Sequence, residues 1–227
     1  LFDKINPDIK FIGKKDTIND SEFDHHMSLV DLGKFFRLNT NEFKTTKFPY
    51  ITYTKKLSTK IKNSFEKNNQ FIIGISWTSK NKEMGEDKSI YLKNLLPILK
   101  LKNITFLDLE YENSEEEKQH IYDKIGTKIY RISEIDYFND ILGVSSIINA
   151  CDLIITCSNV NAHLSGALGK QTFLLLPIGK GRLLNWSSIN HESVWYPSIK
   201  IFQQTNPGNW SDPIEKVREE VLNCQTC

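Results

Sequence analysis

From residue 71 onward the sequence alternates short apolar segments with stretches of helical periodicity. This alternation is typical of repeated βα units, whose strands form a parallel sheet with helices packed on it. We therefore predict an α/β fold with a parallel sheet for this part of the chain. The six predicted strands are Phe71 to Trp77, Ile104 to Leu109, Lys128 to Ile132, Leu153 to Thr156, Thr172 to Leu176 and Ile199 to Phe202.

Helices are predicted between these strands and after the last of them. Ser114 and Glu117 form a capping box that predicts the start of one helix, and Gly126 is placed to end it. Other helices are predicted where apolar residues recur at helical spacing. These apolar residues are Leu92, Leu95, Leu96 and Leu99, then Phe138, Ile141, Leu142 and Ile148, and finally Ile214, Val217, Val221 and Leu222.

The first 65 residues are less regular, with one helical patch from Leu29 to Phe36. We interpret them as part of another lobe. Lys60 to Gln70 is mostly polar and is predicted to be a connecting helix or a linker. The predicted domains are therefore residues 1–67, a partial N-terminal lobe with its linker, and residues 68–227, the α/β domain.

Composition excludes several classes of partner and location. Lys and Arg number 29 against 28 Asp and Glu, so no excess of charge favours nucleic acid or an anionic membrane. No apolar run approaches the about 20 residues of a membrane span. The chain starts at Leu1 without signal-peptide features, so we expect a cytoplasmic protein, here as a fragment. Its four cysteines are expected to be reduced thiols, and the lone Cys224-x-x-Cys227 pair does not predict a metal site.

Ligands of open parallel sheets bind beyond the carboxyl ends of the strands. The loop after the first predicted strand carries hydroxyl residues and Trp77, and Lys88 and Ser89 follow. The hydroxyls and the lysine are suited to phosphate oxygens, and the tryptophan is suited to cover a ring. The alternative is a buried Trp77 with solvated hydroxyls, which the sequence alone favours.

Two further loops have the composition of a phosphate site. After the fourth strand, a polar loop leads into a helix predicted to start at about Asn161, with His163 in its first turn. Free amides and small side chains at such a helix start bind anions, although a structural role for His163 stays equally open. After the fifth strand, Gly179, Lys180, Gly181 and Arg182 form a basic, glycine-rich loop.

Motifs for other nucleotides are missing from the sequence. No strand is followed by G-x-G-x-x-G, and no G-x-x-x-x-G-K-[ST] occurs. A nicotinamide dehydrogenase or an ATPase is therefore disfavoured, and no cofactor is predicted. A flavodoxin-like mononucleotide enzyme has the same βα pattern and stays open as an alternative.

Several segments resemble glycosyltransferase family nine and its relatives fused to tetratricopeptide repeats, which include the lipopolysaccharide heptosyltransferases. Ala162 to Lys170 resembles the family's A-H-L-A-G-A-L-G-K stretch. Ser193 to Gln204, followed by Pro207 to Trp210, resembles the D-S-x-W-Y-P-S-x-R-x-F-R-Q and P-G-D-W pattern of the repeat-fused branch. Gly74 to Trp77 with Lys88 to Ile90 resembles the G-x-x-W and R-S-I elements.

The resemblance implies the GT-B fold, in which two Rossmann-like lobes hold the nucleotide-sugar donor mainly on the C-terminal side and the acceptor on the N-terminal side. It implies inverting sugar transfer without a metal, to a glycan, a lipid-linked or a protein acceptor. The predicted donor-binding residues are Ser76, Trp77, Lys88, Ser89, Ser158, Asn159, Asn161, His163, Leu164, Gly166 and Arg182.

The chain departs from the family in two places. The family has Asp-Thr where Ser158 and Asn159 stand, so a carboxylate is missing from the donor loop. The family's general base lies in the N-terminal lobe before the position of Leu1, which leaves Asp24 and His25 as the nearest replacements here. A non-catalytic binding or scaffold module beside tetratricopeptide repeats is therefore the alternative function.

Overall fold

The computed structural model describes residues 8–13, 16–65, 70–112, 114–179, 181 and 186–225. All six predicted strands are confirmed, with ends that differ by at most two residues. The described strands are β1 (Phe71–Ser76), β2 (Ile104–Asp108), β3 (Ile129–Tyr130), β4 (Leu153–Cys157), β5 (Thr172–Leu176), β6 (Ser188–Ile189), β7 (Glu192–Ser193) and β8 (Ile199–Gln203).

In the described part of the chain these strands form one sheet in the order β3-β2-β1-β4-β5-β8-β7-β6. The strands from β3 to β8 in this order pair in parallel. β7 and β6 extend the sheet antiparallel beyond β8, as a hairpin that the sequence analysis did not predict. The predicted parallel α/β sheet is thus confirmed, with an antiparallel edge added.

Helices cover both faces of the sheet. On β1, Ile72 packs with Ile61 and Ile147 on one face, whereas Ile73 packs with Leu99 and Val217 on the other. Because its side chains are buried on both faces, β1 appears in the sequence as a continuous apolar run. The helices are α1 (Gly33–Phe36), α2 (Lys55–Phe65), α3 (Gly85–Lys88), α4 (Leu96–Leu99), α5 (Glu115–Ile125), α6 (Ile141–Ala150), α7 (Val160–Ala167) and α8 (Ser211–Gln225), with 3₁₀ turns at Asp20–Glu22, Leu29–Leu32, Thr40–Thr45 and Leu92–Leu95.

Two details of the helix predictions are wrong. The capping box at the start of α5 is not formed, because Ser114 Oγ hydrogen-bonds to Asp108 and Glu117 accepts from the indole of Trp77. Phe138 lies before α6 and is 72% exposed, since the Asp140 side chain caps that helix at the amide of Gly143. The predicted end of α5 is confirmed, as Gly126 adopts a φ of 71° there.

The helix α2 packs on the sheet layer. Asn149 Nδ2 on α6 donates to Ser58 Oγ at 2.9 Å, and the amide of Thr54 donates to Ser146 Oγ at 2.9 Å. Ile61 is 4% exposed within the core. Residues 51–65 therefore share the core of the α/β sheet, while the predicted boundary between residues 67 and 68 lies outside the described residues. Among the described helices, none combines the length and the apolar character that crossing a bilayer requires.

Candidate functional site

The strand order changes direction between β1 and β4. From β1 the chain continues outward to β2 and β3, and from β4 it continues the other way to β5 and β8. In open α/β sheets, ligands bind in the crevice at the carboxyl ends of such a strand pair. Ser76 near the end of β1 lies opposite Thr156 near the end of β4. The structure thus brings together the first two loops that the sequence analysis selected.

A buried hydrogen-bond network joins these two strand ends. Ser76 Oγ and Thr156 Oγ1 are 2.7 Å apart. The Asn159 amide nitrogen donates to Ser76 Oγ at 3.1 Å and to the Thr78 carbonyl at 3.0 Å. Its oxygen accepts from Thr156 Oγ1 and from the Asn161 amide, each at 3.0 Å. Asn159 therefore uses its donors and its acceptor to cap α7 and tie it to β1, and a carboxylate could not make the two donations.

Two more residues that were predicted to bind the donor have side chains that hydrogen-bond to other residues of the protein. Asn161 is 2% exposed, and its side chain donates to the Leu109 carbonyl at 2.8 Å. Ser158 Oγ accepts from the indole of Trp186 at 2.8 Å. These side chains orient the loop, and the structure gives them protein partners in place of the predicted ligand.

The residues after β1 are also engaged structurally. Trp77 is fully buried and donates from its indole to Glu117 at 2.8 Å, so the alternative of a buried tryptophan describes it, and its ring is not free to cover a ligand. Ser89 Oγ accepts from the Ser79 amide at 3.0 Å and donates to the Gly85 carbonyl at 2.7 Å. These bonds fold the loop that carries α3.

Lys88 is the exception among these predicted residues. It ends α3, is 3% exposed as a residue, and its side chain has no hydrogen bond or ion pair with any described residue. Its stem packs beside Gly181, where a Cβ would lie 3.2 Å from Lys88 Cγ and 2.8 Å from Pro177 Cγ. A largely buried lysine without an ion-pair partner is suited to bind an anion.

His163 lies beside this cation in the first turns of α7. Its ring stacks on Trp186 with centroids 4.6 Å apart, and its Nδ1 is 3.1 Å from the Tyr196 hydroxyl. Burial, and then the nearby charge of Lys88, lower the pKa of His163, so the imidazole is neutral at pH 7. The first amides of α7 lack intrahelical acceptors, and only that of Asn161 is capped by a side chain. The helix start is thus electropositive.

The predicted roles of Gly166 and Leu164 do not fit the structure. A Cβ on Gly166 would lie 2.4 Å from Tyr196 Cγ, so this glycine makes room for the tyrosine ring. Leu164 is 8% exposed and packs in the apolar core. Its amide lies beyond the first turn, where the helix itself supplies the acceptor.

The remaining predicted residues have no described contact with this crevice or lie outside the described residues. Asp24 and His25 are exposed on the N-terminal segment, and no described contact joins them to His163. Arg182 lies outside the described residues.

The sequence analysis missed several residues that shape the crevice. Glu110 is 2% exposed and accepts from the amides of Trp77 and Thr78 and from the Thr78 hydroxyl. Burial nevertheless raises the pKa of its carboxyl. The sequence could have indicated Glu110, because this residue lies just after β2, at the same edge of the sheet. Trp186 gave no such indication, because it reaches His163 from a distant loop. Tyr196 was marked only as part of the segment Ser193 to Gln204 that resembles the family pattern, without a role beside His163.

Two cavities flank the crevice. One of about 370 Å³ is lined by Thr78 and a cluster of acidic side chains from Glu110 to Glu117, which would repel a phosphate. The other, of about 710 Å³, is mostly apolar and shares Tyr196 with the His163 contact. Residues lining this apolar groove include Leu29, Leu32, Phe36, Phe43, Tyr50, Trp195 and Tyr196.

The lowered pKa of His163 predicts a pH dependence of stability. In the unfolded chain the pKa of this imidazole is about 6.5. In the folded protein its pKa is lower, so the imidazole becomes protonated only at a lower pH. Acidification therefore favours the unfolded state, and the free energy of unfolding should fall as the pH drops below this value. Urea unfolding at about pH 7.5 and about pH 5.5 measures the difference. His163→Gln should reduce it, and the exposed His120→Gln should not.

Comparison with known proteins supports the fold. No protein-family model matches the sequence. The ADP-heptose LPS heptosyltransferase II of E. coli superposes with a TM-score of 0.50 and 15% identity, over 76% of this chain and 52% of that one. The chain has the fold of this heptosyltransferase. A family 9 glycosyl transferase from Veillonella parvula superposes with a TM-score of 0.49 and 14% identity, over 76% of this chain and 51% of that one.

One curated protein is related in sequence. Protein FlbA of Caulobacter vibrioides is 30% identical over 122 residues, which make up 53% of this chain and 20% of FlbA. The match thus spans about a fifth of FlbA, and the aligned region spans about half of the heptosyltransferase.

Proposed function

We propose that this chain binds the diphosphate of a nucleotide sugar at the carboxyl ends of β1 and β4, as the donor-binding part of an inverting, metal-independent glycosyltransferase. The observation that carries the proposal is the largely buried Lys88, whose side chain has no described partner, beside the neutral His163 and the start of α7. A diphosphate supplies the anion that this arrangement lacks.

Each of the three groups has a separate task in this proposal. Lys88 neutralises charge on the diphosphate, the first-turn amides of α7 donate hydrogen bonds to its oxygens, and His163 donates one further hydrogen bond. When the bond from the sugar to the diphosphate breaks, negative charge grows on the leaving oxygen. Groups already oriented toward that oxygen stabilise the transition state more than the ground state.

A glycosyltransferase is favoured over a general phosphate-binding protein for two reasons. The fold is that of an ADP-heptose heptosyltransferase, and Ala162 to Lys170 resembles the corresponding motif of glycosyltransferase family nine. An inverting transfer also needs a base for the acceptor hydroxyl. We assign no residue to that role, because Asp24 and His25 lie on an exposed segment without a described contact to the crevice.

The composition of the donor loop favours a second candidate, a non-catalytic nucleotide-sugar-binding module. Where the family has a carboxylate, Ser158 bonds to Trp186, and the neighbouring Asn159 caps α7. Sugar transfer by the chain together with any partner lobe would exclude this candidate. A cytoplasmic location and an association with tetratricopeptide repeats stay predictions from the sequence.

Calorimetric titration with ADP, UDP, GDP and their sugar conjugates tests the binding proposal. We expect saturable binding of one diphosphate, weakened about 10-fold by His163→Ala, because a hydrogen bond to a charged group is lost. His120→Ala on the exposed face of α5 is the matched control and should bind as the unchanged protein does. Equal affinity of the His163→Ala variant would exclude His163 from the site.

A further inference from the structure

Tyr196 joins the candidate donor site to the apolar groove, because its side chain reaches both. Its hydroxyl is 3.1 Å from His163 Nδ1. The same residue lines the apolar groove together with Tyr50. The contact with His163 was not evident from the sequence, in which the two residues are 33 positions apart.

The contact between Tyr196 and His163 bears on the tautomer of the imidazole. A neutral imidazole carries one proton, on Nδ1 or on Nε2. For His163 to donate from Nε2 to a ligand, as the proposed function requires, Nδ1 must be unprotonated and accept. The Tyr196 hydroxyl, 3.1 Å away, is placed to donate to it.

Packing holds Tyr196 in the position that its contact with His163 requires. Its ring lies against Gly166, where a Cβ would come within 2.4 Å of it. Its amide donates to Ser193 Oγ at 3.2 Å. Trp186 stacks on the His163 ring at 4.6 Å and restricts its rotation.

We propose that Tyr196 is a positioning residue that fixes His163 as the Nε2–H tautomer and directs that single N–H toward the diphosphate of the donor. The ligand part of this inference rests on the proposed function. Without the Tyr196 hydroxyl, the imidazole could exchange between tautomers and ring orientations, and the fraction competent to donate would fall. Apparent affinity falls in proportion to that fraction.

The tautomer is measurable in the unliganded protein by ¹⁵N NMR of the imidazole at about pH 8, where His163 is neutral. We expect a protonated Nε2 and an unprotonated, hydrogen-bonded Nδ1 in the unchanged protein. Tyr196→Phe should shift the Nδ1 resonance. Tyr122→Phe, on the exposed side of α5, is the control and should change nothing. A protonated Nδ1 in the unchanged protein would overturn the proposal.

Calorimetry of the same variants tests the ligand part. Tyr196→Phe should weaken binding of the nucleoside diphosphate about 3- to 10-fold, as expected for one hydrogen bond, while unfolding stays cooperative. Unchanged affinity would overturn the positioning role. If the unchanged protein binds no diphosphate while the Nε2–H tautomer is present, the proposed function and the ligand role fail together, and only the tautomer assignment stands.

Discussion

Replacing Lys88 by Met is expected to lower the affinity for a nucleoside diphosphate by about 100-fold or more and, in the same protein, to raise the melting temperature of the unliganded state. The affinity falls because a desolvated charge pair with the phosphate is lost. The melting temperature rises because the unliganded protein no longer holds a largely buried, charged lysine whose side chain has no described partner. Such opposite effects are expected where a residue that binds the ligand destabilises the unliganded protein.

Calorimetric titration and thermal unfolding of the same preparations measure both effects. Lys100→Met is the matched control, because Lys100 is an exposed lysine with no described side-chain partner. It should change neither quantity. A Lys88→Met variant that melts at a lower temperature and keeps its affinity would show that Lys88 is part of the core and does not bind the ligand.

The second large effect is expected on stability, at Asp108. Its carboxylate is fully buried at the end of β2 and accepts from Lys118 Nζ at 2.8 Å and from Arg131 Nη1 at 3.0 Å. Asp108→Ala leaves the buried Lys118 with only the exposed Glu115 as an ion-pair partner among the described residues. Breaking such a buried pair costs about 3 to 5 kcal/mol, which corresponds to a melting temperature lower by roughly 10 °C.

Denaturant unfolding of two further variants completes this test. Asp123→Ala removes an exposed carboxylate on α5 and should change the free energy of unfolding by no more than about 0.5 kcal/mol. Combining Asp108→Leu with Lys118→Met removes both charges and should recover part of the loss. An Asp108→Ala variant as stable as the Asp123→Ala control would contradict the assigned role of the ion pairs.

The sheet was predictable because its central strands are buried on both faces. Ile72 and Ile73 point to opposite helix layers, so each strand appears in the sequence as an apolar run. The β6–β7 hairpin was not predictable, because strands of two residues have no detectable alternation. The start of α5 was predicted from a capping box whose two side chains are held instead by tertiary contacts to Asp108 and Trp77.

The place of the candidate site was predictable, and the task of each residue was not. The topology of a parallel sheet brings the loops after β1 and β4 to one crevice. Ser76 and Asn159 have the composition of ligand-binding residues, yet they hydrogen-bond to each other. The sequence does not distinguish a polar side chain that hydrogen-bonds within the protein from one that is available to bind a ligand. Lys88 differs only in lacking a described partner, which needs three-dimensional contacts to recognise.

The crystal structure of this chain with a bound nucleoside diphosphate tests the central claim most directly. We predict phosphate oxygens within about 3 Å of Lys88 Nζ, of His163 Nε2 and of an amide in the first turn of α7. A diphosphate bound elsewhere, for example in the cavity beside Thr78 and Glu110, or contacts that leave Lys88 without an anion, would contradict the claim.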